Sequence, residues 1–178
     1  TLIAAINNMR ANPSAKITYK IMGESTIEEE KDENNEVISE KVIEKTYTYT
    51  VNGEWTPIGT KDNPFAGRII ADKDATITIS KADVKFISAG EYGGTISGLF
   101  GYLSNDAYIS NVIAQGCTYT GSMVGGIAGY ANGAKIVNCT VKNSTLTTTK
   151  YAGGIAGYGF GIIEDCSTEM NKIYVTND

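Results

Sequence analysis

The residues of this chain that could do chemistry are carboxylates, cysteines and tyrosines, because its 178 residues include no histidine. Without an imidazole there is no Ser-His-Asp or Cys-His catalytic pair and no histidine-ligated zinc site. The remaining candidates are 20 acidic side chains, three cysteines and 11 tyrosines. What each set can do depends on how closely the fold brings its members together.

The carboxylates beyond residue 54 bear on polysaccharide cleavage, since glycoside hydrolysis needs two acidic side chains facing one bond. They are scattered, and only Asp72 with Asp74 and Glu164 with Asp165 are close in sequence. Adjacent residues of a strand point to opposite faces, so Glu164 and Asp165 cannot share a substrate. Asp72 and Asp74 can face one way, but the Asp-Lys-Asp sequence is also typical of a solvated turn. We therefore expect no catalytic residue.

The cysteines, Cys117, Cys139 and Cys166, are far apart and include no CxxC pair, so they form no disulfide framework. If Cys139 and Cys166 lie on neighbouring strands, they come within reach of a disulfide. Side chains in register on parallel strands point the same way, however, which favours stacked thiols. Buried free cysteine behaves as a small apolar residue. We expect core thiols, no bound metal and no cofactor.

The net charge of −5 is concentrated in the segment 28–45, which holds eight acids and three lysines. A net negative charge argues against nucleic acid and anionic membrane surfaces as partners. The tetrapeptide at 32–35 predicts a turn between two extended arms, hence an acidic hairpin insertion. One hypothesis is a protruding arm that binds a basic partner or a cation; a solvated hairpin that maintains solubility explains the same composition. The candidate binding residues on this arm are Glu28, Glu29, Glu30, Asp32 and Glu33.

The segment 1–54 follows other patterns than the rest of the chain. Apolar residues at helical spacing over 2–9 predict a short helix, which the proline at position 13 ends. Alternation over 17–21 and 47–51 predicts strands, and Asn52-Gly53 is a strong hairpin signal. We expect residues 1–54 to form an N-terminal cap of one helix plus antiparallel strands.

Glycine-rich pentapeptides recur after Trp55 at even spacing, with a period of about 28 residues. Each has the pattern Gly-(Leu/Ile)-x-Gly-Tyr, and a second short strand follows it. The three copies contain Gly98, Leu99, Gly101 and Tyr102; Gly126, Ile127, Gly129 and Tyr130; and Gly154, Ile155, Gly157 and Tyr158. The second strands end in Val112, Cys139 and Cys166, which are also evenly spaced.

A period near 28 with several short strands and little helix indicates a solenoid. The leucine-rich frame is absent and propeller blades are longer, so the fold class is all-β, a right-handed parallel β-helix of about four coils over 55–178. Equivalent residues then stack about 4.8 Å apart. We expect Gly98, Gly126 and Gly154 in register, and the Leu/Ile and Val/Cys positions in the core. The repeated tyrosines would form a third column, either a structural stack or a sugar-binding strip.

The three pentapeptides, each followed by an Asn-Val, Asn-Cys or Asp-Cys strand, resemble the GLUG repeats of bacterial cell-surface and adhesin-like proteins. The preceding segments 55–60 and 63–67 resemble the lead-in coil of those proteins. Two copies have Ile for Leu, and Asp165 replaces Asn in the last copy. The resemblance covers about residues 55–178 and brings no catalytic residues. It implies a secreted, surface-displayed solenoid, mostly in bacteria.

Taken together, these patterns predict a non-catalytic extracellular adhesin or scaffold segment of a bacterial surface protein. Its partner would be a host protein or a glycan, and we expect a monomer that binds no nucleic acid. No apolar run approaches the roughly 20 residues of a membrane span, so no membrane insertion by this segment is expected. The alternative is a carbohydrate-active β-helix enzyme, a polysaccharide lyase or hydrolase.

Overall fold

The computed structural model describes residues 2–21, 27–31, 33–34, 37–42, 47–71, 75–89 and 93–177. Most of them lie in strands that wind into a parallel β-solenoid of about four turns. The elements in chain order are α1 (Leu2–Ala11), β1 (Thr18–Ile21), β2 (Ile27–Lys31), β3 (Val37–Val42), β4 (Tyr47–Trp55), β5 (Arg68–Ala71), β6 (Ile77–Val84), β7 (Phe86–Ser88), β8 (Thr95–Ser97), β9 (Phe100–Leu103), β10 (Tyr108–Ser110), β11 (Val112–Gln115), β12 (Thr118–Gly125), β13 (Ala128–Val137), β14 (Thr140–Lys142), β15 (Thr145–Gly153), β16 (Ala156–Glu164), β17 (Ser167–Glu169) and β18 (Lys172–Val175).

The helix α1 covers the first end of the solenoid core. Its apolar stripe buries Ile6 and Met9 in the same cluster as Trp55, Ile58 and Ile69. The chain leaves the helix before the proline at position 13, because the residue before a proline is disfavoured in the α region. The predicted helix is therefore confirmed. Its packing covers the apolar core at that end of the solenoid.

The turns stack through two large parallel sheets. The first has the order β1-β5-β10-β13-β16, with β9 also on β13. In the second, β6 pairs with β11 through residues 77–80 and with β12 through residues 83–84, so this strand bends and serves two faces of the coil. Over the last three turns the register follows the sequence period: Ile109 pairs with Ile136, and Ile136 with Ile163.

The predicted antiparallel arrangement of the N-terminal strands is wrong for β1 and β4. Both are parallel members of the solenoid, β1 beside β5 and β4 beside β6. Asn52-Gly53 makes no hairpin; it lies within β4, where the pairing register shifts between Thr50 and Gly53. The physical reason is that Asn52 takes a left-handed conformation, φ 48°, which suits a corner of the coil as well as a hairpin turn.

That corner recurs on every turn. The residues that occupy it have positive φ: Asn52 (48°), Lys81 (55°), Gly116 (63°), Asn143 (50°) and Met170 (51°). A second left-handed corner contains Asn111, Asn138 and Asp165, and the Asn138 side-chain amide donates a hydrogen bond to the Asn111 side-chain oxygen. Asparagine and aspartate tolerate this conformation through local hydrogen bonds. The Asn or Asp before each Val or Cys of the repeat is therefore a corner residue.

The predicted stacking of the repeat is confirmed. Phe100, Ala128 and Ala156 pair in register, which places Gly98, Gly126 and Gly154 at one corner of successive turns. The N–H of Gly126 donates to the Gly154 carbonyl at 3.0 Å, and a Cβ on Gly126 would lie 2.5 Å from that oxygen. Such a contact is too short for any side chain, so glycine is required there. The adjacent residues Leu99, Ile127 and Ile155 are buried in the core.

The acidic hairpin is confirmed as two antiparallel strands, β2 and β3, with Glu28 opposite Lys41 and Glu30 opposite Ser39. Glu33 lies in the turn and is exposed, whereas Asp32 lies outside the described residues. The hairpin is inserted between β1 and β4 of the first turn. A second antiparallel pair, β7 with β8, is not predicted by the repeat pattern.

Candidate functional site

The repeated tyrosines form the predicted column. The rings of Tyr102 and Tyr130 stack with centroids 4.3 Å apart and an interplanar angle of 8°, and Tyr158 follows at 5.4 Å, tilted by 47°. Tyr102 and Tyr130 are buried with Ile96 and Met123 in a second apolar cluster. Of the two expected roles for this column, burial favours the structural stack for Tyr102 and Tyr130, since neither ring is accessible at the surface.

Tyr158 is different, since no further described strand covers β16 on its outer side. Its side chain is 42% exposed and lies 5.1 Å, centroid to centroid, from Tyr151, which is 50% exposed. These two rings are an accessible aromatic pair. Other apolar side chains of the last turn are exposed as well, including Phe160 and Val175 at 67% and 72%.

The thiols are free, as expected. Cys139 is buried and Cys166 is partly buried on the next turn, and the Cys139 N–H donates to the Cys166 sulfur at 3.4 Å. The hydrogen bond between the two thiols lowers the pKa of Cys166 and, together with desolvation, raises the pKa of Cys139. Desolvation likewise raises the pKa of Cys117. Cys166 is thus the thiol with most thiolate character.

Four of the described carboxylates on the solenoid, Glu54, Asp83, Asp106 and Glu164, form salt bridges with lysines. Lys85 bonds Asp83 at 2.6 Å and lies 3.3 Å from Glu54, which neighbours Asp83 in the register. The bond from Lys85 lowers the pKa of Asp83, so this carboxyl is ionised at neutral pH and is unsuited to act as a general acid. Glu164 is bound by Lys135 at 3.2 Å. Asp72 and Asp74 lie outside the described residues.

A cleft of about 590 Å³ opens between α1 and the first turn, and the sequence patterns do not indicate it. Helix α1 contributes Asn7 and Arg10, strand β4 contributes Tyr49 and Trp55, and the segment 56–63 closes the other side. The Arg10 guanidinium lies over the Trp55 ring, 4.5 Å from its centroid, and donates to the Thr56 carbonyl. The packing of α1 on the first turn brings these residues together, although they are distant in sequence.

Trp55 anchors this cleft to the core. Its ring is buried, and its indole N–H donates to the Leu99 carbonyl at 3.0 Å. Tyr49 lies 6.4 Å from Trp55, ring centroid to ring centroid, and is half-buried. The aromatic wall of the cleft is therefore held rigidly, while Arg10 and Asn7 on the helix are exposed.

Comparison with known families supports the repeat assignment. Residues 120–147, one period that runs from β12 to β15, match the model of the GLUG motif. The chain carries a GLUG motif. The GLUG match includes Gly126, Ile127 and Gly129 as well as the corner residue Asn138, so its recurring residues are those that stack the turns. The GLUG motif is compatible with a surface β-helix repeat protein.

Searches of the curated proteins and of the solved structures return no match. Among the described residues, no helix is both long and apolar enough to span a membrane. In the same part of the chain, no three His, Cys, Asp or Glu side chains cluster in a way that would hold a metal ion.

Proposed function

We propose that this chain is a non-catalytic, ligand-binding segment of a bacterial surface protein whose partner is a host protein or a glycan. The proposal rests on the structural roles of the GLUG residues. The glycines make corners, Ile127 and its equivalents fill the core, and Asn138 turns the chain. The repeat therefore builds a rigid support, and recognition falls to what is attached to it.

Three attached features offer recognition surfaces: the cleft beside α1, the exposed Tyr151–Tyr158 pair and the acidic hairpin at 28–45. Rigid β-solenoids hold such surfaces with little conformational entropy to lose on binding. Secretion and surface display accord with the GLUG resemblance.

The test is a paired assay on the purified chain of residues 1–178. A fluorescently labelled sample is applied to an array of mammalian and bacterial glycans and host matrix proteins, and the same sample is incubated with soluble polysaccharides. We expect saturable binding to a restricted group of array members and no release of reducing ends or unsaturated sugars.

Release of either product at a rate proportional to protein concentration would favour the carbohydrate-active enzyme instead. No saturable binding to any array member would contradict the ligand-binding role. A variant with Gly126→Val is the matched control: it disrupts the stack of turns, so binding that survives in it does not come from the folded solenoid.

A further inference from the structure

The cleft beside α1 combines an aromatic wall, a cation and several amide and hydroxyl groups. Its volume, about 590 Å³, lies within the range of roughly 300–1,000 Å³ typical of small-molecule sites. Asn7, Thr56, Thr60 and Asn63 are exposed at its rim. Such groups match sugar hydroxyls, which both donate and accept hydrogen bonds.

Arg10 supplies the positive charge of the cleft, which Glu54 also lines. One guanidinium nitrogen donates to the Thr56 carbonyl, and the plane lies against Trp55. Partial burial there lowers the pKa of Arg10, yet a guanidinium remains charged at any physiological pH. In the described part of the chain this guanidinium forms no salt bridge, so its other N–H groups are available to an anionic ligand. The carboxylate of Glu54 is bound instead by Lys85.

A planar guanidinium with free N–H groups is suited to a carboxylate, which it binds through two parallel hydrogen bonds. The half-buried Tyr49 ring adds an apolar face of the kind that packs against the C–H side of a sugar ring. A ligand that satisfies both features has sugar rings and an acidic group.

We propose that the cleft between α1 and β4 binds a saccharide that carries a carboxylate, such as a uronic acid unit. Arg10 binds the carboxylate, the rim amides and hydroxyls bind the sugar hydroxyls, and Tyr49 packs against the ring. This inference rests on the proposed ligand-binding function and gives it a site and a ligand class.

The test uses digalacturonate as the probe, titrated into the full chain by calorimetry. We expect saturable binding that weakens at least about tenfold in Arg10→Gln, since hydrogen bonds to charged groups are worth that much or more. Arg68→Gln is the matched control, because Arg68 also lies over an aromatic ring, 4.9 Å from the Tyr108 centroid, but outside the cleft. Its affinity should stay unchanged.

Two control ligands separate the contributions of the two features. Galactobiose has the sugar rings without a carboxylate, and acetate has the carboxylate without a sugar ring. Both should bind at least tenfold more weakly than digalacturonate. Trp55, the only tryptophan, gives a second readout, since a ligand that engages Arg10 changes its fluorescence. Circular dichroism and thermal melting confirm that each variant is folded.

Equal binding of digalacturonate by the Arg10→Gln and Arg68→Gln variants would overturn the site, as would galactobiose binding as tightly as digalacturonate. Absence of saturable digalacturonate binding to the wild-type chain would overturn the ligand class. The ligand-binding function itself is tested separately by the array of glycans and host proteins. Array binding that Arg10→Gln does not weaken would place the binding site elsewhere on the solenoid.

Discussion

The left-handed corner at Lys81 allows a sharp test of how this solenoid is built. Lys81 has φ 55° and an exposed side chain, at the point where β6 bends from one face of the coil to the next. The equivalent residues on neighbouring turns include Gly116 and Asn143, which suit this conformation, whereas lysine does not. A left-handed conformation costs an ordinary residue roughly 1–2 kcal/mol. We predict that Lys81→Asn stabilises the fold.

The expected gain is about 1 kcal/mol, because asparagine recovers most of this strain and the exposed lysine side chain contributes little packing. For a chain of this length, about 1 kcal/mol raises the melting temperature by roughly 2–4 °C. The opposite change, Gly116→Ala, should cost about the same. A Cβ at Gly116 would lie 3.9 Å from Lys81 Cγ, an ordinary contact, so the loss would come from the backbone alone.

Thermal and urea unfolding followed by circular dichroism measure both effects. Lys150→Asn is the matched control: Lys150 is exposed in β15 without positive φ, and asparagine is a poor strand residue, so this variant should be neutral or slightly less stable. If Lys81→Asn is no more stable than Lys150→Asn, the corner is not a source of strain and the reasoning fails.

Four further outcomes are expected. Tyr130→Ala should lower the free energy of unfolding in urea by roughly 3–5 kcal/mol, because the ring is buried. Tyr158 is more exposed, so Tyr158→Ala should cost less than half as much. Equal losses would contradict the stack. Cys166 should react with iodoacetamide before Cys139, and the midpoint pH of its reaction should lie below that of an unperturbed thiol, because its pKa is lowered. Mass spectrometry that finds Cys139 modified first would refute this. A variant in which a short turn replaces 28–45 should keep the far-ultraviolet circular dichroism spectrum of a β-solenoid, with a slightly altered melting temperature. The reason is that the entropic cost of loop closure depends weakly on loop length. Insoluble protein would show that the hairpin belongs to the core. Chelator should leave the melting temperature unchanged, and a large decrease would reveal an oxygen-ligated cation site.

The solenoid itself follows from local sequence because its pattern is periodic. Each turn repeats the same glycine, aliphatic and asparagine positions, so the register of Ile109, Ile136 and Ile163 can be counted from the sequence. A short apolar helix followed by a proline is equally local. The acidic hairpin could be predicted for the same reason, since charge density and a polar turn define it without reference to any other part of the chain.

Prediction from local sequence is ambiguous where the same residues suit two different structures. Asn52-Gly53 provides positive φ, which both a hairpin turn and a solenoid corner require, and only pairing with a distant strand decides between them. Strands β1 and β4 belong to the first turn because β5 and β6 offer parallel edges. Thr18 pairs with Arg68 and Tyr47 with Ile77, and neither sequence separation equals the repeat period, so the period does not reveal these pairings.

What the sequence by itself determined is the periodic stack: the Gly-(Leu/Ile)-x-Gly-Tyr unit and the core columns. What only the tertiary structure decided is accessibility. Tyr130 and Tyr158 occupy the same place in the repeat, yet one is buried between turns and the other is open. The Arg10–Trp55 cleft likewise exists because the apolar stripe of α1 packs on the first turn. Sequence patterns record which residues recur, whereas burial and clefts depend on which distant surfaces meet.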